Sequence, residues 1–138
     1  MTVQQPYKTA RCILYRQDRF LLAVHGGFWG VQQQRWGLPG GQIERGEAPA
    51  VAAARELEEE LNVYVQDLIE VGAYPYKRAL HMVYAAPVSE PIRDWDESEL
   101  IDVRWFTEAD VAALKAQGEL HANYELEAIR SLLEKLAA

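Results

Sequence analysis

The stretch 41–63, GQIERGEAPAVAAARELEEELNV, constrains this chain more than any other. It is approached through Leu38-Pro39-Gly40-Gly41, and glycines let backbone come close to a ligand where side chains would intervene. Glu47 follows six residues after Gly41, and Arg55 eight residues after Glu47. From Pro49 to Leu61 alanine, leucine, glutamate and arginine dominate, which predicts a helix. Pro49 suits its first turn, where a missing N–H is not needed. Val51, Ala54, Leu57 and Leu61 recur at helical spacing and predict an apolar stripe facing a core. Glu56, Glu59 and Glu60 stand at i, i+3 and i+4 on another face, with Cβ atoms roughly 5–6 Å apart. Taken alone, such a run is an ordinary solvated face, because like charges at this spacing cost only about 0.2–0.5 kcal/mol per pair.

The full pattern, G-x5-E-x7-R-E-L-x-E-E-x-N-V, is far more restrictive. Its six fixed glycine, glutamate and arginine positions match by chance on the order of one time in ten million at average residue usage. It resembles the Nudix box of the Nudix (MutT-like) hydrolases, G-x5-E-x7-R-E-U-x-E-E-x-G-U with U a bulky apolar residue. Gly41, Glu47, Arg55, Glu56, Leu57, Glu59, Glu60 and Val63 match, and Asn62 stands where the family has glycine. That position follows the helix, where a left-handed cap is common and asparagine ranks next after glycine. The W-x-L-P-G-G approach from Trp36 to Gly41 is also typical of the family. The resemblance implies an α/β fold: a Nudix-type α/β/α sandwich with a mixed β-sheet, and the box as loop–helix–loop. Residues 1–138 are expected to form a single Nudix hydrolase domain.

The activity implied by the resemblance is metal-dependent hydrolysis of the diphosphate linkage in a nucleoside diphosphate joined to a moiety X. A (d)NTP is the first expectation. A nucleotide-sugar or dinucleotide pyrophosphatase is the alternative, as is a non-catalytic Nudix-like module that binds a nucleotide metabolite. The intact box glutamates and the lack of a basic second domain favour the enzyme. Divalent metal neutralises phosphate oxygens and acidifies water, and hard cations take carboxylate and carbonyl oxygens. The implied ligands, for Mg²⁺ or alternatively Mn²⁺, are the Gly40 carbonyl, Glu56, Glu59 and Glu60. The implied catalytic group is Glu56, Arg55 and Glu99, with Glu56 or Glu99 as the water-activating base. Glu99 lies six residues before Trp105, the habit of such a glutamate outside the box, and Glu97 is its near rival. Arg55 and Glu47 correspond to a salt bridge that ties loop to helix, and Gly41, Glu47 and Leu57 are the structural residues of the box. Arg35, Gly41 and Arg78 are the candidate substrate contacts, with Lys77 beside Arg78. Glu58 should face solvent.

The rest of the chain fits a globular α/β domain, since predicted strands and helices interleave. Strands are expected over 7–15, 19–24 (paired with the first as a hairpin through Gln17-Asp18), 64–74 (interrupted by Pro75), 78–88 and 99–106. A helix capped by Thr107 should run to about Gln117 and stop at Gly118. A last amphipathic helix over 123–136 should bury Leu126, Ile129, Leu133 and Leu136. The glycine- and glutamine-rich stretch 25–34 reads as a functional loop, in which Phe28 and Trp29 either stack on a base or cover the core edge. Cys12 is expected in the core rather than as a nucleophile, and His81 as a hydrogen-bonded histidine. A net charge of −7 excludes a nonspecific nucleic-acid or membrane-surface binder but not phosphate substrates, because bound cations invert the local field. The start lacks a signal-peptide pattern and no apolar run spans a membrane, so a cytoplasmic protein is expected. The expected partner is a nucleotide, with no stable nucleic-acid partner and no membrane, and a homodimer is left open.

Overall fold

The alternation of apolar residues along the strands places two cores on opposite faces of one sheet. In the computed structural model, which describes residues 6–26 and 35–138, seven strands form a mixed sheet. They are β1 (Tyr7–Arg16), β2 (Arg19–His25), β3 (Trp36–Gly37), β4 (Gly40–Gln42), β5 (Ile69–Tyr76), β6 (Ala79–Pro87) and β7 (Leu100–Thr107). The helices are α1 (Pro49–Leu61), α2 (Glu108–Ala116) and α3 (Glu125–Ala137). Central β1 runs parallel to β6 along almost its whole length. Its first half pairs antiparallel with β4, and its end turns into β2. β7 lies along β2, and β5 closes the other edge against β6. None of the described helices is long and apolar enough to cross a membrane.

On one face Ala10, Cys12, Leu14, Leu21, Ala23 and Met82 pack with Ala53, Leu57 and Leu61 of α1. On the other, Ile13, Phe20, Leu22 and Val83 pack with Val111 of α2 and with Leu126, Ile129 and Leu132 of α3. The result is helix, sheet and helix pair in three layers. Fully buried Leu57 alone stabilises the α1 layer by about 1.5–3 kcal/mol.

Several boundaries differ from the sequence expectations. The buried face of α1 is Ala52, Ala53, Leu57, Glu60 and Leu61, while Val51 is 57% exposed. The helix is rotated so that a glutamate joins its inner face, which no apolar periodicity signals. The 64–68 stretch is not strand. β5 begins at Ile69, and Pro75 lies inside it opposite Leu80. An edge strand tolerates this, because its outward N–H has no ladder partner to lose. In α3 Leu132 is fully buried, Leu133 is half-buried and Leu136 is 46% exposed, so the stripe ends earlier than its spacing suggests. Phe28, Trp29 and the expected 25–34 loop lie outside the described residues from residue 27 onward.

Candidate metal and diphosphate site

The loop that enters α1 is fixed by one arginine. Arg55 donates from Nε to Glu47 Oε2 at 2.8 Å and from Nη2 to Glu47 Oε1 at 3.0 Å. Nη2 also reaches the Gln42 carbonyl at 3.1 Å, and Nη1 reaches Glu56 Oε1 at 3.1 Å and Glu59 Oε2 at 3.2 Å. This is the two-pronged geometry that a planar guanidinium allows and an ammonium does not. Its hydrogen bonds hold the Glu47 carboxyl below its ordinary pKa. Glu47 in turn accepts the Glu44 N–H at 3.0 Å and closes the turn through Gly46. At the far end Asn62 takes the left-handed cap, φ 56°, with Asn62 N–H on the Glu58 carbonyl and Val63 N–H on that of Leu57. Glu58 faces solvent.

On the adjoining face Glu56, Glu60 and Glu99 converge, each with a carboxylate oxygen within 4.8 Å of the others. Glu99 is carried in by the turn before β7, where the Asp96 N–H donates to the Glu60 carbonyl at 2.9 Å and the Gly26 N–H to that of Glu99 at 2.8 Å. Glu60 is buried, and its Oε1 accepts the Gly40 N–H at 2.9 Å. Burial pushes its pKa up to about 8, against the Gly40 hydrogen bond and with Glu56 and Glu99 adding repulsion. Burial also raises Glu56, against the pull of Arg55. The His25 imidazole lies 3.8 Å from Glu60 Oε2 but is no charge partner, because burial and then Arg11 and His121 lower its pKa to about 3. Three hard-oxygen donors with a surplus of negative charge fit a divalent cation.

Of the other expected ligands, Glu59 stands outside this trio, half exposed and held by Arg55. The Gly40 carbonyl accepts Arg11 Nη1 at 3.1 Å. Gly40 has φ +140°, and a Cβ there would lie 2.3 Å from the Ala10 carbonyl oxygen. Gly41 leaves room for chemistry: a Cβ would lie 2.6 Å from the Glu56 carboxyl group. Arg35 is exposed just before β3, and Arg78 is exposed in the turn between β5 and β6. Glu97 is exposed and outside the trio. Cys12 is buried, and His81 is buried with Nδ1 2.7 Å from the Tyr124 hydroxyl. Arg11 and His25 escaped notice in the sequence. The one available signal was an arginine inside the apolar run Ala10 to Leu14.

A family model of the NUDIX domain matches residues 6–126. The chain is 31% identical over 125 residues to diphosphoinositol polyphosphate phosphohydrolase 2 of Rattus norvegicus, covering 85% of this chain and 68% of that protein. It is 29% identical over 106 residues to the NAD-capped RNA hydrolase NudC of Mycobacterium tuberculosis, covering 74% of this chain and 33% of that protein. Among solved structures, the NUDIX domain of Shewanella oneidensis NrtR complexed with ADP ribose superposes with a TM-score of 0.74 at 21% identity, over 97% of this chain and 90% of that one. At that identity the likeness shows the fold.

Proposed function

The chain belongs to the NUDIX family, as a hydrolase of diphosphate linkages, and from that membership we propose the finer reaction. The substrate is a nucleoside diphosphate joined to a group X, in the first instance a (d)NTP. Glu56, Glu59, Glu60 and the Gly40 carbonyl would hold Mg²⁺ or Mn²⁺. The observation that carries this reading is the convergence of Glu56, Glu60 and Glu99, with Glu60 buried and no cation paired directly to its carboxyl group among the described residues. When bound, the cation neutralises phosphate oxygens and acidifies water. Arg55 orients Glu56 by holding one of its oxygens while both its other prongs stay on the Glu47 loop. Glu59 is able to join Glu56 and Glu60, because leaving an exposed ion pair with Arg55 costs only about 0.2–1 kcal/mol. Glu99 is the better base of the two candidates. It is the exposed member of the trio, whereas Glu56 is tied to Arg55 and pressed against Gly41. Arg35 and Arg78 supply exposed positive charge for the substrate's phosphates.

A second reading, a diphosphate on a polyphosphorylated ring, is supported by the likeness to the diphosphoinositol polyphosphate phosphohydrolases. The test is a panel of dNTPs, ATP, ADP-ribose, a dinucleoside polyphosphate and a diphosphoinositol polyphosphate with Mg²⁺ or Mn²⁺, scored by released phosphate or pyrophosphate. The highest kcat/KM on a nucleoside triphosphate is expected. Turnover confined to the ring polyphosphate would replace the first reading by the second, and none on any member would remove both.

A further inference from the structure

A row of rings leads from Glu60 away from the carboxylates. His25 Nδ1 is 3.8 Å from Glu60 Oε2, and the His25 and His121 rings stack at 6.5 Å between centroids. Tyr76 lies 5.3 Å from His121, and Lys77 Nζ is 5.4 Å over the Tyr76 ring. The rings are held rather than loose. The His121 N–H donates to the Trp36 carbonyl at 2.8 Å, and the Trp36 N–H to that of Glu119 at 2.9 Å, so β3 pins the backbone that carries His121. Tyr76 is backed by His81 at 5.2 Å, itself fixed by Tyr124.

The charge along the row changes sign. Its inner end is the carboxylate trio. Along its length are Arg11, with Nη1 3.3 Å from His25 Nε2, and then Lys77. The His121 imidazole is pushed below its ordinary pKa by partial burial and then by Arg11, Lys77 and Arg35. In a chain of net charge −7, this gathering of cations beside an acidic site departs from the average field. Lys77 also occupies a left-handed conformation, φ 55°, as first residue of the two-residue turn between Tyr76 and Ala79, where glycine is the favoured residue.

We propose that this row is the subsite for X, with Lys77 selecting an X that carries phosphate charge over a neutral sugar. It rests on the diphosphate-hydrolase reading above and deepens it. Successive contacts of 6.5, 5.3 and 5.4 Å join the site to the ammonium through three rings, and Lys77 is not among the charges that act on Glu60, so it is a partner for X rather than for the diphosphate. With a divalent cation engaged by the diphosphate at the trio, the Lys77 ammonium at the far end of the row is a charge partner for an anionic X. The phosphate is either the terminal one of a nucleotide chain or one on a ring.

Lys77→Gly removes the ammonium while giving the turn its preferred residue, and Lys77→Arg restores the charge. Kinetics are measured for each with ATP, a diphosphoinositol polyphosphate and ADP-ribose, whose X is neutral. In Lys77→Gly, KM for at least one phosphate-bearing substrate should rise about three- to fivefold, the upper end of what losing one exposed charge contact implies, with kcat within about twofold. KM for ADP-ribose should stay within about twofold, and Lys77→Arg should restore the first value. Which phosphate-bearing substrate shifts identifies the source. An unmoved KM for both, or an equal rise for ADP-ribose, overturns the assignment. Should the wild type hydrolyse none of the three, the reaction reading fails separately. Calorimetric affinities for ATP against ADP-ribose then decide the subsite: a ratio that falls in Lys77→Gly supports it, and an unchanged ratio overturns it.

Discussion

Two groups of carboxylates meet at helix α1 and suffer opposite fates, Glu47 just before its first residue and Glu60 near its end. Glu47 is held from both oxygens by the Arg55 fork and titrates below its ordinary range. Glu60, five residues beyond that arginine, is buried with one backbone N–H, an uncharged imidazole and two more carboxylates around it, and its pKa rises to about 8. The residue type is the same; what differs is compensation. The first arrangement stabilises the loop–helix junction, and the second stores an electrostatic imbalance that a bound cation would relieve. Glu56 belongs to both, with one oxygen on Arg55 and its head group against Gly41.

The largest break in this contrast comes from Glu60→Gln. Turnover should fall by at least about a hundredfold, as expected when several kcal/mol of metal-assisted stabilisation are lost. The metal-free fold should gain stability at the same time. The sign follows from linkage. The folded pKa, about 8, lies above the ordinary value of 4.5, so the folded state keeps a proton that the unfolded chain releases. Below pH 4.5 both states hold it and nothing is lost. From pH 4.5 to 8 wild-type stability therefore falls, on the order of a few kcal/mol, and levels off above. Urea midpoints of metal-free protein across this window should slope downward in the wild type and stay flatter in Glu60→Gln. Mg²⁺ should raise the wild-type midpoint more at pH 8 than at pH 6. A wild-type midpoint independent of pH would contradict the buried, protonated Glu60.

Arg55→Lys tests the other group. An ammonium cannot hold both Glu47 oxygens and also steady Glu56. Turnover should drop about ten- to a hundredfold, the usual result when a residue that orients a ligand is lost. Unlike Glu60→Gln, this variant should also lose stability, by about 1–3 kcal/mol, because Glu47 is largely shielded from solvent and left underbonded. Denaturation and kinetics on both variants separate the groups: one loses activity while gaining stability, the other loses both.

Gly41→Ala probes the seam between them. Its Cβ would meet the Glu56 carboxyl at 2.6 Å and move that head group, while the backbone at Gly41 needs no left-handed angle. An approximately tenfold loss in kcat is expected, with the unfolding midpoint almost unchanged because the displaced atoms end a flexible side chain. Equal activity to wild type would show that the Glu56 position seen here is not the working one.

How far the sequence foretold all this depends on the range of the interactions. Helix 49–61, the Thr107 cap and the strands flanking Gln17-Asp18 were legible because each is fixed by neighbours a few residues away. The Arg55–Glu47 pair was legible through the family pattern. The inner face of α1 was not. Apolar spacing chose Val51 and Ala54, whereas the sheet received Ala52, Ala53 and Glu60. The glutamate on that face has its partner in the N–H of Gly40, twenty residues away. Arg11, His25 and His121 were invisible for the same reason, since their meeting depends on β1, β2 and the segment after α2 arriving together.

The smallest expected effect concerns Asn62, where the chain departs from the box. Its φ of 56° and ψ of 36° place it in the left-handed region, with its N–H on the Glu58 carbonyl and that of Val63 on Leu57. Glycine adopts this conformation without the Cβ penalty, although it loses more freedom on folding. The two terms oppose each other, and asparagine already tolerates the region well. Asn62→Gly should therefore stabilise the fold by at most about 1 kcal/mol, with kcat and KM unchanged, because the residue ends the helix and touches none of the trio. A change in turnover without a change in stability would mean that the helix terminus also sets the position of Glu60, two residues earlier. The separation between the anchored and the uncompensated carboxylates would then be less complete than their hydrogen bonds indicate.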